Sequence, residues 1–195
     1  KDWSTDYIFS SENTMYYHLG FVRQGDVAAG EVFFVDQEGK LSRRKLRHEI
    51  FTPDVFEYVY FARADAIIND VSVYRARLRM GQNLAEKWKK LYPNVIPDAV
   101  IPVPHSANTA ALALAGQLGV RYSEGFYKNP FVGRTFIMPS AEAREKSVRH
   151  KLTPQEFEIR GKSVMVVDDS IVRGTTSREV VRLLREFGAK EVYFV

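Results

Sequence analysis

The 195-residue sequence contains no cysteine. This excludes a disulfide framework, a thiolate metal site, an iron–sulfur ligand set and a cysteine nucleophile within these residues. A secreted fold that depends on disulfide staples is excluded too, and a cytoplasmic protein fits. The sequence lacks any run of about 18 apolar residues, so no membrane-spanning helix is expected. Its first residues, Lys1 to Asp6, lack the basic start and apolar stretch of a signal peptide. It opens on lysine rather than methionine, which points to a processed protein or an excised fragment.

What is present is globular. Hydrophobic residues make up 45% and charged residues 27%, which excludes disorder, collagen and coiled coil as whole-chain answers. A chain of this length buries roughly two-thirds of its unfolded surface, enough for a sizeable core. The net charge is +4, from 28 Lys+Arg against 24 Asp+Glu. So small an excess suits either a solvated surface or a basic site for a polyanion. Arg144, Lys146, Arg149, Lys151, Arg160 and Lys162 crowd one C-terminal stretch. Taken alone, that crowding reads as a solvated loop. No internal repeat and no low-complexity segment interrupts the chain.

Residues 1–50 read as antiparallel strands and turns. Tyr7-Ile8-Phe9 and Glu31 to Val35 are β-prone, and Gly30 and Glu38-Gly39 mark turns. Tyr16, Tyr17, Phe33 and Phe34 are expected as core or domain-interface residues. Beyond Thr52-Pro53 the pattern changes. Tyr58-Val59-Tyr60-Phe61 is strand-like, and Tyr74, Leu78, Gly81, Ala85 and Trp88 form one face of a helix stopped by Pro93. Ala99-Val100-Ile101 is a short apolar strand. Ser106 is placed to cap a helix from Ala110 to Leu118, which Gly119 ends. Arg121 to Phe126 suggests another strand, and residues 127–162 are irregular, with a helix-prone stretch from Ala141 to Lys146. Ser163 to Val167 reads as a buried strand. A loop from Asp168 to Ser177 precedes a helix bearing Val180, Leu183, Leu184 and Phe187, ended by Gly188, and Val192 begins a further strand. Strand–helix–strand alternation implies an α/β fold with an open, mostly parallel sheet flanked by helices. Ligands of such sheets bind at the carboxyl ends of the strands. The sequence stops inside the last strand, so an edge of the sheet is expected to be missing.

The stretch from Val166 to Ser177, VVDDSIVRGTTS, carries the chemistry. Adjacent carboxylates at a strand end are costly unless something answers their charge. Sugar hydroxyls and a magnesium ion both answer it, because carboxylate oxygens suit a hard cation. Gly174 permits close backbone approach to a ligand. The amides of Arg173 to Ser177, with the hydroxyls of Thr175, Thr176 and Ser177, make an anion site at a helix N-terminus. A ribose 5-phosphate fits: hydroxyls on the carboxylates, phosphate on the loop. An isolated Asp-Asp pair reads as a capped surface turn; its place between a buried strand and an amphipathic helix favours the site. Neither the nucleoside-triphosphate phosphate loop nor the dinucleotide fingerprint matches.

This stretch resembles the phosphoribosyl pyrophosphate loop of the glutamine phosphoribosylpyrophosphate amidotransferase family. Phe56 to Arg63, Ser72 to Gly81, Ile101-Pro102-Val103-Pro104, Glu124 to Asn129, Gly133 to Pro139 and Val148 to Leu152 agree with the same family. The likeness is close over residues 56–195 and looser over 1–18. It implies a type I phosphoribosyltransferase fold over residues 51–195, its C-terminal part missing. Residues 1–50 would be the last β-strands of an N-terminal-nucleophile glutaminase domain, itself incomplete. Asp168 and Asp169 would hold the ribose hydroxyls and, with Ser106, magnesium. Ser170, Ile171, Val172, Arg173, Gly174, Thr175, Thr176 and Ser177 would wrap the 5-phosphate. Lys128 to Leu152 would be the flexible loop that closes over substrate, with Tyr127, Lys128, Asn129, Arg134 and Lys151 as contacts. The implied partners are phosphoribosyl pyrophosphate, ammonia or glutamine, and purine nucleotides as feedback inhibitors. A homo-oligomer is implied, with no nucleic acid and no membrane.

The sequence also departs from the family. His105-Ser106 stands where an acidic residue or Thr is usual, and His105 reads as a loop residue. Val55 stands where a cysteine is frequent. The glutaminase nucleophile is not among these residues. The implied activity is formation of 5-phosphoribosylamine, the committed step of purine synthesis. A purine-salvage phosphoribosyltransferase and a non-catalytic phosphoribosyl pyrophosphate-binding regulator are the competing readings. The first leaves the Phe-Glu-Tyr-Val-Tyr-Phe stretch unexplained. The second usually carries a DNA-binding domain, and no helix-turn-helix pattern stands out.

Overall fold

The computed structural model describes residues 5–131, 149, 151–172 and 174–195. It forms two compact units, residues 1–76 and 77–195, and the division falls inside one helix.

In the first unit, β1 (Glu31–Val35) pairs antiparallel with β2 (Leu41–Lys45). The hairpin turns at the expected place. Asp36 Oδ1 accepts from the amides of Glu38 and Lys40 at 3.0 and 2.8 Å, and Gly39 takes φ 78°. Phe33 stacks on Phe9 with ring centroids 5.7 Å apart. Phe33 and Tyr16 are half-buried, whereas Tyr17 and Phe34 are exposed. Tyr7-Ile8-Phe9 forms no strand, because β-propensity without a neighbour to pair with does not make one. Glu57–Phe61 is not a strand but a π-helical turn, closed by the Ala62 amide on the Glu57 carbonyl at 3.0 Å. The turn lets Phe56, Tyr60 and Phe61 cluster their rings at 5.3–5.6 Å, which a strand would spread over both faces. A small ladder, β3 (Ile67–Ile68) with β4 (Val71–Ser72), follows, and Ala62, Ala66 and Val73 are buried together.

Helix α1 (Val73–Leu91) runs across the division. Its buried stripe is Val73, Arg77, Gly81 and Ala85; Tyr74, expected on that face, is 45% exposed.

The second unit is built on a four-stranded parallel sheet. Its strands are β5 (Ala99–Pro102), β6 (Arg121–Tyr122), β9 (Ser163–Val167) and β10 (Glu191–Phe194), in the order β10-β9-β5-β6. Both central strands are wholly buried, which explains their unbroken apolar runs. Alternation along β9 sorts the core. Val164 and Val166 pack with Ile101 against Val180, Leu183 and Leu184 of α4 (Thr175–Glu186). Met165 and Val167 pack with Val100 against Ala85 of α1 and Ala111, Leu114 and Ala115 of α2 (Asn108–Leu118). Each face of the sheet is therefore covered by helix. Gly119 ends α2 in the left-handed conformation, φ 73°, as its place after the last apolar residue predicts.

The expected strand over Arg121 to Phe126 divides. Only Arg121 and Tyr122 join the main sheet. Phe126–Lys128 forms β7, paired antiparallel with β8 (Leu152–Pro154). A short α3 (Glu156–Ile159) leads into β9. Residues 132–148, which include Ala141 to Lys146, lie outside the described residues. Among the described residues no helix is long and apolar enough to cross a membrane.

Candidate active site at the carboxyl ends of the parallel strands

Three segments meet beyond the carboxyl ends of β5 and β9. The Val103 amide donates to the Val167 carbonyl at 2.8 Å, carrying the β5–β9 ladder one step past Pro102. The chain then turns through Pro104, His105 and Ser106; the Pro104–His105 peptide is cis. On the neighbouring strand the Asp168 amide donates to the Val195 carbonyl at 3.1 Å. Asp168 therefore continues the ladder one step past the end of the buried strand β9, and Asp169 follows it.

Ser106 does not cap α2. The residue before the helix is Ala107, with no side-chain cap. The Ser106 hydroxyl instead donates to Asp169 Oδ2. Asp169 Oδ1 accepts from Ser170 Oγ at 2.8 Å, and the Asp169 amide donates to Asp168 Oδ1 at 2.9 Å. Burial, and then the neighbouring Asp169 charge, push the Asp168 carboxyl up from 3.8 to about 6. Among the described residues no cation pairs with either carboxylate. Among the described residues the site thus concentrates two carboxylates, met by serine hydroxyls and a backbone amide but by no cation.

Those donors fit magnesium. The ion takes oxygen ligands, often one or two carboxylates completed by substrate phosphates and water. Asp168, Asp169 and Ser106 would supply oxygen donors of that kind. No cluster of three or more His, Cys, Asp or Glu side chains occurs among the described residues, so the substrate would have to complete the shell.

Helix α4 starts at Thr175, three residues earlier than its sequence suggests. Gly174 precedes it at φ 71°, and no side chain caps the first turn. The amides of the first turn are the donors that a helix leaves without an intrahelical partner, and the partial positive charge of the helix end adds to them. Thr175, Thr176 and Ser177 are half-buried, while Ile171 and Val172 are 63% and 76% exposed.

The hairpin β7–β8 brings Lys128 and Lys151 to one end. Lys128 pairs with Leu152, and the Asn129 amide donates to the Lys151 carbonyl at 2.8 Å. Asn129 Oδ1 accepts from the Phe131 amide at 3.0 Å, so its side chain shapes its own turn. Tyr127 is 60% exposed. Burial holds the His105 imidazole below its usual range, and the Lys128 charge adds to this, whereas Glu124 opposes it. That coupling ties Lys128 and His105 electrostatically. Glu124 is a neighbour that local patterning could not reveal. Arg134 and Arg173 lie outside the described residues. A groove lined by Trp88, Tyr92, Val95 and Leu118 lies at the other, amino-terminal end of β5 and has no such chemistry.

Residues 73–195 match the model of the phosphoribosyl transferase domain. The chain belongs to that family. It is 50% identical over 190 residues to the amidophosphoribosyltransferase of Pseudomonas aeruginosa, covering 97% of this chain and 38% of that protein. The Saccharomyces cerevisiae amidophosphoribosyltransferase is 46% identical over 198 residues, covering 99% and 39%. The solved glutamine phosphoribosylpyrophosphate amidotransferase from B. subtilis, complexed with ADP and GMP, superposes with a TM-score of 0.79 at 39% identity. It covers 94% of this chain and 39% of its own. The chain thus spans about two-fifths of the length of these relatives. Its second unit has the type I phosphoribosyltransferase fold, a parallel sheet flanked by helices.

Proposed function

We propose that this chain carries the synthase centre of an amidophosphoribosyltransferase. The observation that carries the reading is the acidic pair Asp168-Asp169, joined to Ser106 and followed by the uncapped start of α4. The ribose hydroxyls of phosphoribosyl pyrophosphate rest on Asp168 and Asp169. The 5-phosphate accepts hydrogen bonds from the loop of residues 170–177. The pyrophosphate lies toward Ser106, with Tyr127, Lys128, Asn129, Arg134 and Lys151 as further contacts. Magnesium, when bound, neutralises charge on the leaving pyrophosphate.

At the anomeric carbon the bond to pyrophosphate oxygen breaks and a bond to ammonia nitrogen forms. Ammonia gives up one proton to solvent, and the products are 5-phosphoribosylamine and pyrophosphate. The protein supplies position and electrostatic stabilisation, and no protein nucleophile is required. In this reading residues 1–50 are the last strands of a glutaminase domain, and glutamine is the source of ammonia. Purine nucleotides act as feedback inhibitors, in keeping with the ADP and GMP bound to the B. subtilis relative. The setting is cytoplasmic and the enzyme is a homo-oligomer.

The test is pyrophosphate release by the full-length protein from phosphoribosyl pyrophosphate and magnesium, with ammonia, glutamine or purine bases in turn. Release with ammonia and glutamine is expected. Release only with a base would instead mark a salvage enzyme, and tight binding without release a regulator.

A further inference from the structure

Glu179 is the buried acid that the reaction leaves unexplained. It is 3% exposed, on the second turn of α4. Arg149 Nε lies 2.5 Å from its Oε1, and Arg182 Nη1 lies 3.8 Å from its Oε2. The first contact is one of charge: Oε1 receives no directed hydrogen bond. Arg149 Nη2 reaches Glu186 at 2.9 Å, and Arg182 Nε reaches the same Glu186 oxygen at 3.1 Å. Two arginines and two glutamates thus share one ion-paired group. Arg149 comes from the approach to β8, and the other three from α4.

The position of Glu179 gives the pairing a purpose. It stands four residues after Thr175, about 6 Å along the helix axis from the uncapped first turn. An unpaired buried carboxylate there would repel a phosphate, and low local dielectric would make that repulsion strong. We propose that Arg149 is a positioning residue for the 5-phosphate cradle, acting by neutralising Glu179. This rests on the phosphate assignment made above. Arg149 need not touch substrate. Its removal takes one positive charge from the group beneath the helix end.

Ribose 5-phosphate binding, followed by calorimetry on the full chain, tests this without turnover. Arg149→Gln is expected to weaken affinity roughly tenfold, the scale of one charge interaction at this range. Glu179→Gln, close in shape, is expected to tighten it, and the pair Arg149→Gln with Glu179→Gln to return it to about the wild-type value. In turnover with ammonia, the Arg149→Gln loss falls on KM for phosphoribosyl pyrophosphate and not on kcat. If Arg149 served only packing, the double variant would bind as poorly as Arg149→Gln, and that result overturns the proposal. So would weakened binding in Glu179→Gln alone. A wild-type chain that binds ribose 5-phosphate but releases no pyrophosphate would sink the synthase reading and leave this one standing.

Discussion

The Ser106 hydroxyl donates to the Asp169 carboxylate across 63 positions of sequence. One bond thereby joins the turn after β5 to the acid at the end of β9. The parallel pairing of those strands makes the meeting possible, since both carboxyl ends lie at one edge of the sheet. Ser106→Ala removes the donor from a charged acceptor, a loss of about 1–2 kcal/mol in stability. If Ser106 also serves magnesium, the variant needs several-fold more magnesium for half-maximal pyrophosphate release. Titrating magnesium at saturating substrate decides this, and an unchanged half-point removes Ser106 from the metal site.

Asp168 links stability to pH. In the folded chain it takes up its proton at about pH 6 instead of 3.8. Between those values the folded state binds more protons than the unfolded state, so stability falls as pH rises through the window. Below about pH 4 both states hold the proton and the penalty is absent. Above pH 6 it reaches at most about 3 kcal/mol, less after solvent screening of a half-buried group. Without divalent cations, Asp168→Asn is therefore expected to melt higher than wild type at pH 7. The advantage fades by pH 4. Turnover with ammonia falls roughly hundredfold or more in the same variant. Thermal melts across that pH range, beside an activity assay, check both halves; equal melting at pH 7 contradicts the buried-charge account.

Much of this was legible where the signal is local. The run Ser163 to Val167 followed by two aspartates marks a buried strand ending in a charged site, and Gly119 marks the end of α2. Legibility failed where distant residues decide. Ser106 looks like a helix cap until Asp169 competes for its hydroxyl. Tyr58 to Phe61 has strand-forming side chains, but ring packing with Phe56 selects a π-helical turn. The apolar spacing of α4 locates Val180, Leu183 and Leu184. It gives no hint that Glu179 beside them is buried on an arginine 30 positions upstream (179 minus 149).

Gly81 reverses a helix rule. Replacing an interior helix glycine with alanine ordinarily stabilises by about 1 kcal/mol. Here the added Cβ would lie 2.1 Å from the Ala110 carbonyl oxygen, which is backbone of α2 and cannot rotate away. The expected outcome of Gly81→Ala is destabilisation by about 1–3 kcal/mol or more, since overpacking forces the helices apart. Urea unfolding measures the sign, and a stabilised variant would mean that α1 and α2 do not approach so closely.

Gly174 separates backbone strain from steric fit in the proposed phosphate cradle. Its φ is 71°, and a Cβ built there meets nothing within 4 Å. Alanine therefore clashes with no neighbour and costs only the left-handed conformation, about 1–2 kcal/mol. That cost is avoided by rotating the residue, which misaims the amides of Thr175 and Thr176. Gly174→Ala is expected to weaken ribose 5-phosphate binding about tenfold, with pyrophosphate affinity little altered because the proposed function puts pyrophosphate toward Ser106. Asparagine tolerates the left-handed region better than alanine, so Gly174→Asn should regain part of the loss. Calorimetry with each ligand tests the order Gly, then Asn, then Ala. An alanine variant that binds ribose 5-phosphate like wild type would show that the cradle does not depend on this backbone geometry.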